Sequence, residues 1–371
     1  LAIAIVEAQT PEQAASRSRA YAFSPISRGI FEQLGLWDQV GPQVTHFQQV
    51  CLTDGAWPVG IEFRPQDCDG EPVYYAAEHR VLMQALQASV QGATDYLAPA
   101  QLRQVRYGEI VHCDIEQGGQ TWTCTTDLVV AADGGRSPLR QQAEISTVGW
   151  QYWQSCLTTV VAPEHPHQNI AYEKFWPSGP FAILPLPNGH CQIVWTAPTE
   201  EAKALMDLPR ATFLHLLQER YGDQMGRLKM LKDPLLFPVR LMQSQRYVQP
   251  RLALIGDAAH SCHPVGGQGL NMGIRDAAAL AEVLSNAHRH ADDLGSLAVL
   301  RRYQRWRRWE NTVVLSMTDL LNRCFSNHWL PLVGARRLGI LVLQRVKPLR
   351  WLALQLMTGR FGRRPNLGRL D

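Results

Sequence analysis

Residues 251–274 read RLALIGDAAHSCHPVGGQGLNMGI. The apolar run from Leu252 to Ile255 ends in Gly256-Asp257, and a loop holding Pro264, Gly266, Gly267 and Gly269 follows. A helix is predicted from Leu270 through Asp276 to the neighbourhood of Asn286. An unbroken apolar run of this length suits a strand covered on both faces. In open α/β sheets the ligand crevice lies beyond the carboxyl ends of the strands, so Asp257 stands where it can accept hydrogen bonds from a ligand hydroxyl. The glycines permit positive φ and close backbone approach. Their N–H groups and the helix start at Leu270-Asn271-Met272 form a site for negative charge. Leu270, Ile274, Ala277, Ala281 and Leu284 recur at helical spacing and are the expected buried face. Gly267-x-Gly269-x-x-x-Gly273 is not a dinucleotide fingerprint, because its last spacing is wrong.

Upstream, DLVVAAD ends in Asp133-Gly134-Gly135-Arg136-Ser137-Pro138-Leu139-Arg140. An Asp at a strand end followed by Gly lets carboxylate and backbone meet a phosphate-bearing ligand, and Arg140 can face its charge. Residues 100–132 read as a small antiparallel sheet leading into that strand. At the start, Leu1 to Val6 reads as a strand closed by Glu7. In a dinucleotide-binding fold an apolar run ending in an acid is the second strand, with the acid on the adenosine ribose. The first strand and its G-x-G-x-x-G turn are then expected roughly 20 to 30 residues further upstream, and the chain as given is expected to bind its dinucleotide weakly or not at all.

Taken together, GDAAHSCHPVGGQGLNMGIRDAAALAEVL, DGGRSPLR and SRSRAYAFSPISRGIFEQLGLWDQV resemble the single-component FAD-dependent aromatic hydroxylases, the group A flavoprotein monooxygenases, and within them the ubiquinone-biosynthesis hydroxylases. The resemblance implies an α/β fold. A GR2-type, Rossmann-like FAD-binding lobe carries an inserted β-rich substrate lobe and is followed by C-terminal helices. Its expected bounds are 1–145 for the first part of the FAD lobe, with 44–77 an excursion to the substrate side, 146–245 for the substrate sheet, 246–300 for the second part of the FAD lobe and 301–371 for the helices. The implied cofactor contacts are Glu7, Arg19, Arg80, Asp133, Gly134, Arg140, Gly256, Asp257, Pro264, Gly266, Gly267, Gln268, Gly269, Leu270 and Asn271. Pro264 and His263 would lie beside the flavin. No residue is assigned an acid–base role, because the chemistry belongs to the flavin.

Residues 150–240 are strand-like, aromatic and punctuated by turns. The family lays such a sheet over the flavin, which makes Tyr172, Phe175, Trp176, Phe181 and Leu184 the substrate-pocket candidates. The implied reaction is hydroxylation of a phenolic, polyprenylated quinone precursor, with NAD(P)H as reductant and O2 as oxygen source. Two alternatives stand beside it. One is a hydroxylase of another aromatic or lipid, and the other is a flavin-free platform subunit of a quinone-biosynthesis assembly.

Composition bounds these readings. The chain has 371 residues, 46% hydrophobic and 19% charged, as expected of a globular enzyme. Its eight cysteines form no C-x-x-C pair, which points to a reducing compartment, the cytoplasm, and away from disulfides and metal. The net charge of +3 conceals a basic end: residues 336–371 carry +8 and the rest −5. A basic end suits an anionic surface, and a peripheral membrane is favoured over nucleic acid, for which no recognition motif is present. The long helical pattern after Asn286 carries a run of arginines expected to be a solvated face. The last one, ARRLGILVLQRVKPLRWLALQLMTG, could pack on the FAD lobe, form a homo-oligomer face or lie on a membrane.

Overall fold

The computed structural model describes residues 1–17, 19–55 and 57–368. The chain is a mixed α/β protein whose strands form five sheets. The apolar run of the opening stretch becomes the strand Leu252–Leu254, fully buried and parallel to Val129–Ala131. Ala4–Val6 pairs in parallel with Asp95–Leu97 as a separate two-stranded sheet. Between Asp95–Leu97 and Val129–Ala131 lies the antiparallel sheet of 101–126.

The largest sheet has nine strands. In spatial order they are His260–Ser261, Leu235–Ser244, Thr147–Pro163, Cys191–Pro198, Gly179–Pro185, Ile170–Trp176, Gln49–Asp54 and Gly60–Phe63, with Leu228–Met230 pairing beside Thr147–Pro163. Only the Ile170–Trp176 and Gln49–Asp54 pair is parallel. Gly149 lets the long strand lie against its neighbour, since a Cβ there would stand 2.1 Å from the Leu241 carbonyl oxygen. The sheet's two faces are used differently. One carries Leu157, Phe181, Ile183 and Trp195 against Phe213 and Leu217 of the helix Arg210–Tyr221. The other is left open over a cavity. The period of two along each strand enforces this split.

The excursion expected over 44–77 is narrower than that. Only Gln49–Asp54 and Gly60–Phe63 join the large sheet, whereas Tyr75–Glu78 pairs with Ala20–Phe23 on one side and Thr45–His46 on the other in a small sheet beside the helix Pro25–Gln33. That helix buries Ile30 and Phe31, and Leu34 at its end is 37% exposed.

Gln268–Arg289 is the helix of the opening stretch, starting two residues before the expected position. Its buried face is rotated from the expected one. Ala277 and Ala281 face solvent, while Met272, Arg275, Asp276, Ala279 and Val283 are buried. Sequence patterning assigns charged residues outward. Here Arg275 and Asp276 turn inward because the long helix Leu297–Phe325 brings Arg307 and Glu310 to meet them. Arg307, expected on a solvated face, is fully buried for the same reason, while Arg301, Arg302, Arg305 and Arg308 are exposed.

Leu330–Arg345 and Lys347–Met357 follow, broken at Val346 just before Pro348. Ile340 and Leu354 are buried with Phe63, Tyr74 and Leu186, so these helices cap one end of the large sheet.

Candidate functional site

One cavity of about 850 Å³ joins the opening stretch to the open face of the large sheet. Its first wall is the loop and helix start of that stretch: Asp257, Ser261, Cys262, Pro264, Gly266, Gly267, Gln268, Gly269 and Leu270 all line it. Gly266 and Gly267 have φ of +68° and +61°, so the backbone turns the helix start toward the cavity at positions where a side chain would be strained. The first N–H groups of a helix lack intrahelical partners. Gln268, Gly269 and Leu270 are the first three residues of theirs. This wall therefore favours a negatively charged or acceptor-rich ligand edge. Asp257 opens into the cavity with no hydrogen bond or ion pair to its carboxylate among the described residues. Crowding by protein raises its pKa, against the pull of His260 and Arg19.

Three buried devices hold this wall. Asn271 lies under the loop: its Oδ1 accepts from Ser24 N at 2.7 Å and Ser27 Oγ at 2.8 Å, and its Nδ2 donates to the Ala22 and Gly267 carbonyls. Arg140 is buried, with its guanidinium on the carbonyls of Ala258 at 2.8 Å and Gly135 at 3.0 Å. Asp276 accepts from His260 Nε2 at 2.5 Å, from Arg307 Nε at 2.7 Å and from Gly256 N at 3.1 Å. Burial alone would raise the Asp276 pKa, but the His260 imidazole and the Arg307 guanidinium against it hold its carboxyl well below the usual range.

The second wall is the sheet. Ala171, Glu173 and Phe175 face the cavity from one strand, Pro180, Ala182 and Leu184 from the next, and Gln192, Val194 and Thr196 from the third. Val50, Leu52, Ile61 and Phe63 extend this surface on one side, and Phe237, Pro238 and Val239 on the other. Of the pocket candidates, Phe175 and Leu184 present side chains to the cavity, while Tyr172 borders it but shares the face of its partner Ile183 and packs against the cluster on the other side of the sheet. Trp176 and Phe181 do not line it. Phe181 is fully buried on the opposite face, edge-on to Trp195, and the Trp176 ring is covered by Arg220 at 5.1 Å. Phe181 and Leu184 differ in parity, so one strand could not present both to the same side. Glu173 escaped the sequence reading. The alternation of Ala171, Glu173 and Phe175 carried the signal, because whichever face takes Phe175 takes Glu173 too.

The third wall is helical: Met317, Leu321, Cys324 and Phe325 from Leu297–Phe325, then Ile340, Leu343, Ala353 and Leu356 from the last two helices. The cavity therefore continues as an apolar passage away from the loop.

Several implied cofactor contacts fall elsewhere. Arg19 lines the cavity, its guanidinium 5.2 Å from the Phe237 ring centroid, and Gly135 and Arg136 line it although they were not singled out. Glu7, at the end of Ala4–Val6, accepts from Gln9 N at 2.9 Å and lies outside the cavity. Arg80 is exposed in the first turn of His79–Val90, and Asp133 accepts from Leu139 N at 3.1 Å. Gly134 makes the turn before them, with φ of +84°. Gly256, also outside, brings its backbone against Gly273. Arg140 and Asn271 do not present their side chains to a ligand. Each is sequestered on buried backbone groups, which would otherwise go without partners. His263 is also turned away. It is fully buried, edge-on to Tyr152 at 5.2 Å, and its Nδ1 accepts from Val265 N. Burial pushes its pKa down to about 3, so it is a neutral packing group. Among the described residues no cluster of His, Cys, Asp and Glu could hold a metal ion.

The FAD binding domain family matches residues 2–313. An uncharacterized Synechocystis protein is 47% identical over 99% of this chain and 89% of its own length. The ubiquinone hydroxylase UbiL of Rhodospirillum rubrum is 35% identical over 97% of this chain and 84% of its own. The 3-demethoxyubiquinol 3-hydroxylase of Escherichia coli is 32% identical over 92% and 87%. Among solved structures, the p-nitrophenol 4-monooxygenase PnpA of Pseudomonas putida superposes with a TM-score of 0.79 over 98% of this chain and 93% of that one, at 18% identity, a likeness of fold.

Proposed function

This chain belongs to the FAD binding domain family, as an FAD-dependent monooxygenase of the ubiquinone-biosynthesis hydroxylase type that uses NAD(P)H, and on that premise we propose that it hydroxylates a phenolic, polyprenylated quinone precursor. The observation that carries the reading is the single cavity, which has a polar, glycine-built loop at one wall and an apolar sheet opposite. When bound, FAD supplies the redox chemistry, taking reducing equivalents from NAD(P)H and delivering one oxygen atom of O2 to an electron-rich ring.

The loop suits the flavin end of FAD. Gly266 and Gly267 leave room for a flat ring, and the N–H groups of Gln268 to Leu270 favour the negative charge of its reduced form. Asp257, without a partner among the described residues, is suited to accept from the ribityl hydroxyls, and Pro264 would border the ring. Phe175, Leu184 and their neighbours on that face would hold the substrate ring and exclude water. The helix-walled passage supports a long apolar tail.

Peripheral membrane contact is part of this reading. Trp329, Leu330, Leu338, Leu349, Trp351 and Leu352 are exposed on or beside the helices whose inner faces close the passage. The +8 end is a weaker argument than its sequence suggests. Arg336 and Arg337 pair with Asp54, Arg350 with Asp67, Arg360 with Asp69 and Glu71, and Arg363 with Glu282. Arg369 and Asp371 lie outside the described residues. Arg345, Lys347 and Arg364 have no such partner among the described residues, so apolar insertion outweighs charge here. No helix among the described residues is long and apolar enough to cross a membrane.

The test is to supply the FAD-loaded protein with NAD(P)H, a phenol bearing a prenyl tail and isotopically labelled O2. The expected product is heavier by one labelled oxygen. A product whose new oxygen comes only from water would defeat the reading.

A further inference from the structure

We propose that Glu173 receives the ring hydroxyl of the substrate in the sheet-lined cavity and takes its proton. The proposal rests on the hydroxylase reading above and names the group that would orient and activate the ring.

The geometry is unusual for a carboxylate. Glu173 sits mid-strand, between Ala171 and Phe175 on the cavity face. Across the sheet its neighbours are Leu52 on one side and Ala182 on the other, with Val194 beyond Ala182. No hydrogen bond or ion pair reaches its carboxylate among the described residues. Two carboxylates line the cavity: Asp257 belongs to the loop wall, and Glu173 stands in the apolar one. A charge in such a place is costly unless a partner arrives with a ligand. A phenol hydroxyl is such a partner, and the surrounding apolar rows accept the ring that carries it.

The charged and titratable neighbours leave that role open. Lys174 points to the other face, where its Nζ donates to the Tyr221 carbonyl at 2.6 Å. Arg336 is occupied by Asp54 and by the carbonyls of Cys324, Phe325 and Asn327. Arg19 lies over Phe237. Arg240 also lines the cavity but does not pair with Glu173. Tyr74 and Cys156 feel the charge of Glu173, which helps keep both protonated. Tyr74 hydroxyl donates to the Met357 carbonyl and accepts from Gln268 Nε2 at 3.0 Å, so it links the glutamate's surroundings to the loop wall. Burial pushes the Glu173 pKa up to about 8, which makes both protonation states accessible near neutral pH. A base so poised is efficient for proton transfer.

In the step assigned to Glu173 the ring O–H bond breaks. The proton passes to the carboxylate, and the electron pair stays on the ring oxygen, raising electron density at the ortho and para carbons. One of those carbons gains a hydroxyl group whose oxygen comes from O2, with two electrons and a hydrogen from NAD(P)H and one proton from solvent. Its own hydrogen leaves as a proton and enters the water formed from the second oxygen atom. Glu173 then returns the first proton to the ring oxygen.

The experiment compares FAD-loaded wild type, Glu173→Gln and Glu173→Asp, with a 2-prenylated phenol as probe. The first measurement is the affinity for the phenol and for its methyl ether against pH, without reductant. In wild type the phenol should bind more tightly as pH rises through about 8, because the carboxylate form accepts from the ring O–H, while the ether should not follow, and in Glu173→Gln the phenol's affinity should be flat over that range. The second is kcat/KM for hydroxylated product. It should rise with pH in wild type, fall about 100-fold in Glu173→Gln with loss of that rise, and keep its pH dependence at reduced rate in Glu173→Asp. Flavin content reports whether each variant is folded. Glu173→Gln with kcat/KM within about twofold of wild type and an unchanged pH dependence of phenol affinity overturns the proposal. If wild type binds the phenol but never oxidises it, the hydroxylase reading fails, and the affinity profile still decides whether Glu173 receives the ring hydroxyl.

Discussion

Arg140 Nη1 donates to the carbonyl of Ala258 at 2.8 Å, across 118 residues of chain. Its Nη2 donates to Gly135 O. Two strand-end motifs are thereby fixed to each other by a side chain that touches no ligand. Arg140→Met keeps the aliphatic bulk and removes both bonds. Each charge-assisted hydrogen bond contributes about 1.5–3 kcal/mol, so a loss of about 2–4 kcal/mol is expected in urea unfolding. Flavin affinity should fall at least about tenfold as the two loops separate. Unchanged affinity with lowered stability would confine Arg140 to the fold.

Asp257 presents the opposite case. Its carboxylate has no side-chain or backbone donor among the described residues, and its surroundings already disfavour the charge. Asp257→Ala should therefore shift stability by no more than about 0.5 kcal/mol, while the purified protein loses its yellow flavin absorbance. Undiminished flavin content would remove Asp257 from the site.

Asp276 is expected to matter for stability instead. It is fully buried between His260 and Arg307. Asp276→Asn leaves Arg307 with less compensation, and about 3–5 kcal/mol should be lost at pH 7. The folded-state pKa lies below the unfolded one, so this contribution is present above the usual carboxylate range and fades as pH drops below about 4. Urea midpoints of wild type and variant should converge on acidification. A gap that stays constant down to low pH would contradict the assignment.

Glu173 has the reverse sign. Its folded-state pKa of about 8 lies above the ordinary 4.5. The protonated form is held in the folded chain, so the associated stability is complete below the lower value and is lost as pH rises toward the upper one. Glu173→Gln should raise Tm more at pH 8 than at pH 5. Equal shifts at both pH values would show that the carboxyl is solvated.

The membrane contact calls for point substitutions, since truncation after Leu330 would remove Ile340 and Leu354 from the core and open the passage. Trp351→Asp with Leu352→Asp leaves those residues in place. Burying one large apolar side chain is worth about 1.5–3 kcal/mol, so flotation with anionic liposomes should fall at least about tenfold. Retained binding would leave these side chains as a contact between copies of the chain or as a bare surface.

The opening stretch was legible because its physics is local. The buried run, the glycines with positive φ and the helix start need only near neighbours to be specified, and the strand, turn and helix stand where the sequence put them, within two residues. The strand-like, aromatic pattern of 150–240 marked the sheet, and the family resemblance pointed to Phe175 and Leu184. Period-two alternation held the further information that Phe181 belongs to the other face, and that Glu173 shares a face with Phe175.

What the sequence by itself determined, then, was the α/β class, the loop wall and the strand parity, all of which follow from backbone sterics and repeat periods within short windows. Tertiary structure alone decided where buried charge goes. Arg307, Asp276 and Glu310 turn inward, and Arg140 moves from an expected ligand contact to a brace. The basic C-terminal end is spent largely on Asp54, Asp67, Glu71 and Glu282. A charged side chain can be buried only where partners from distant segments meet it, and no local window of sequence records that meeting.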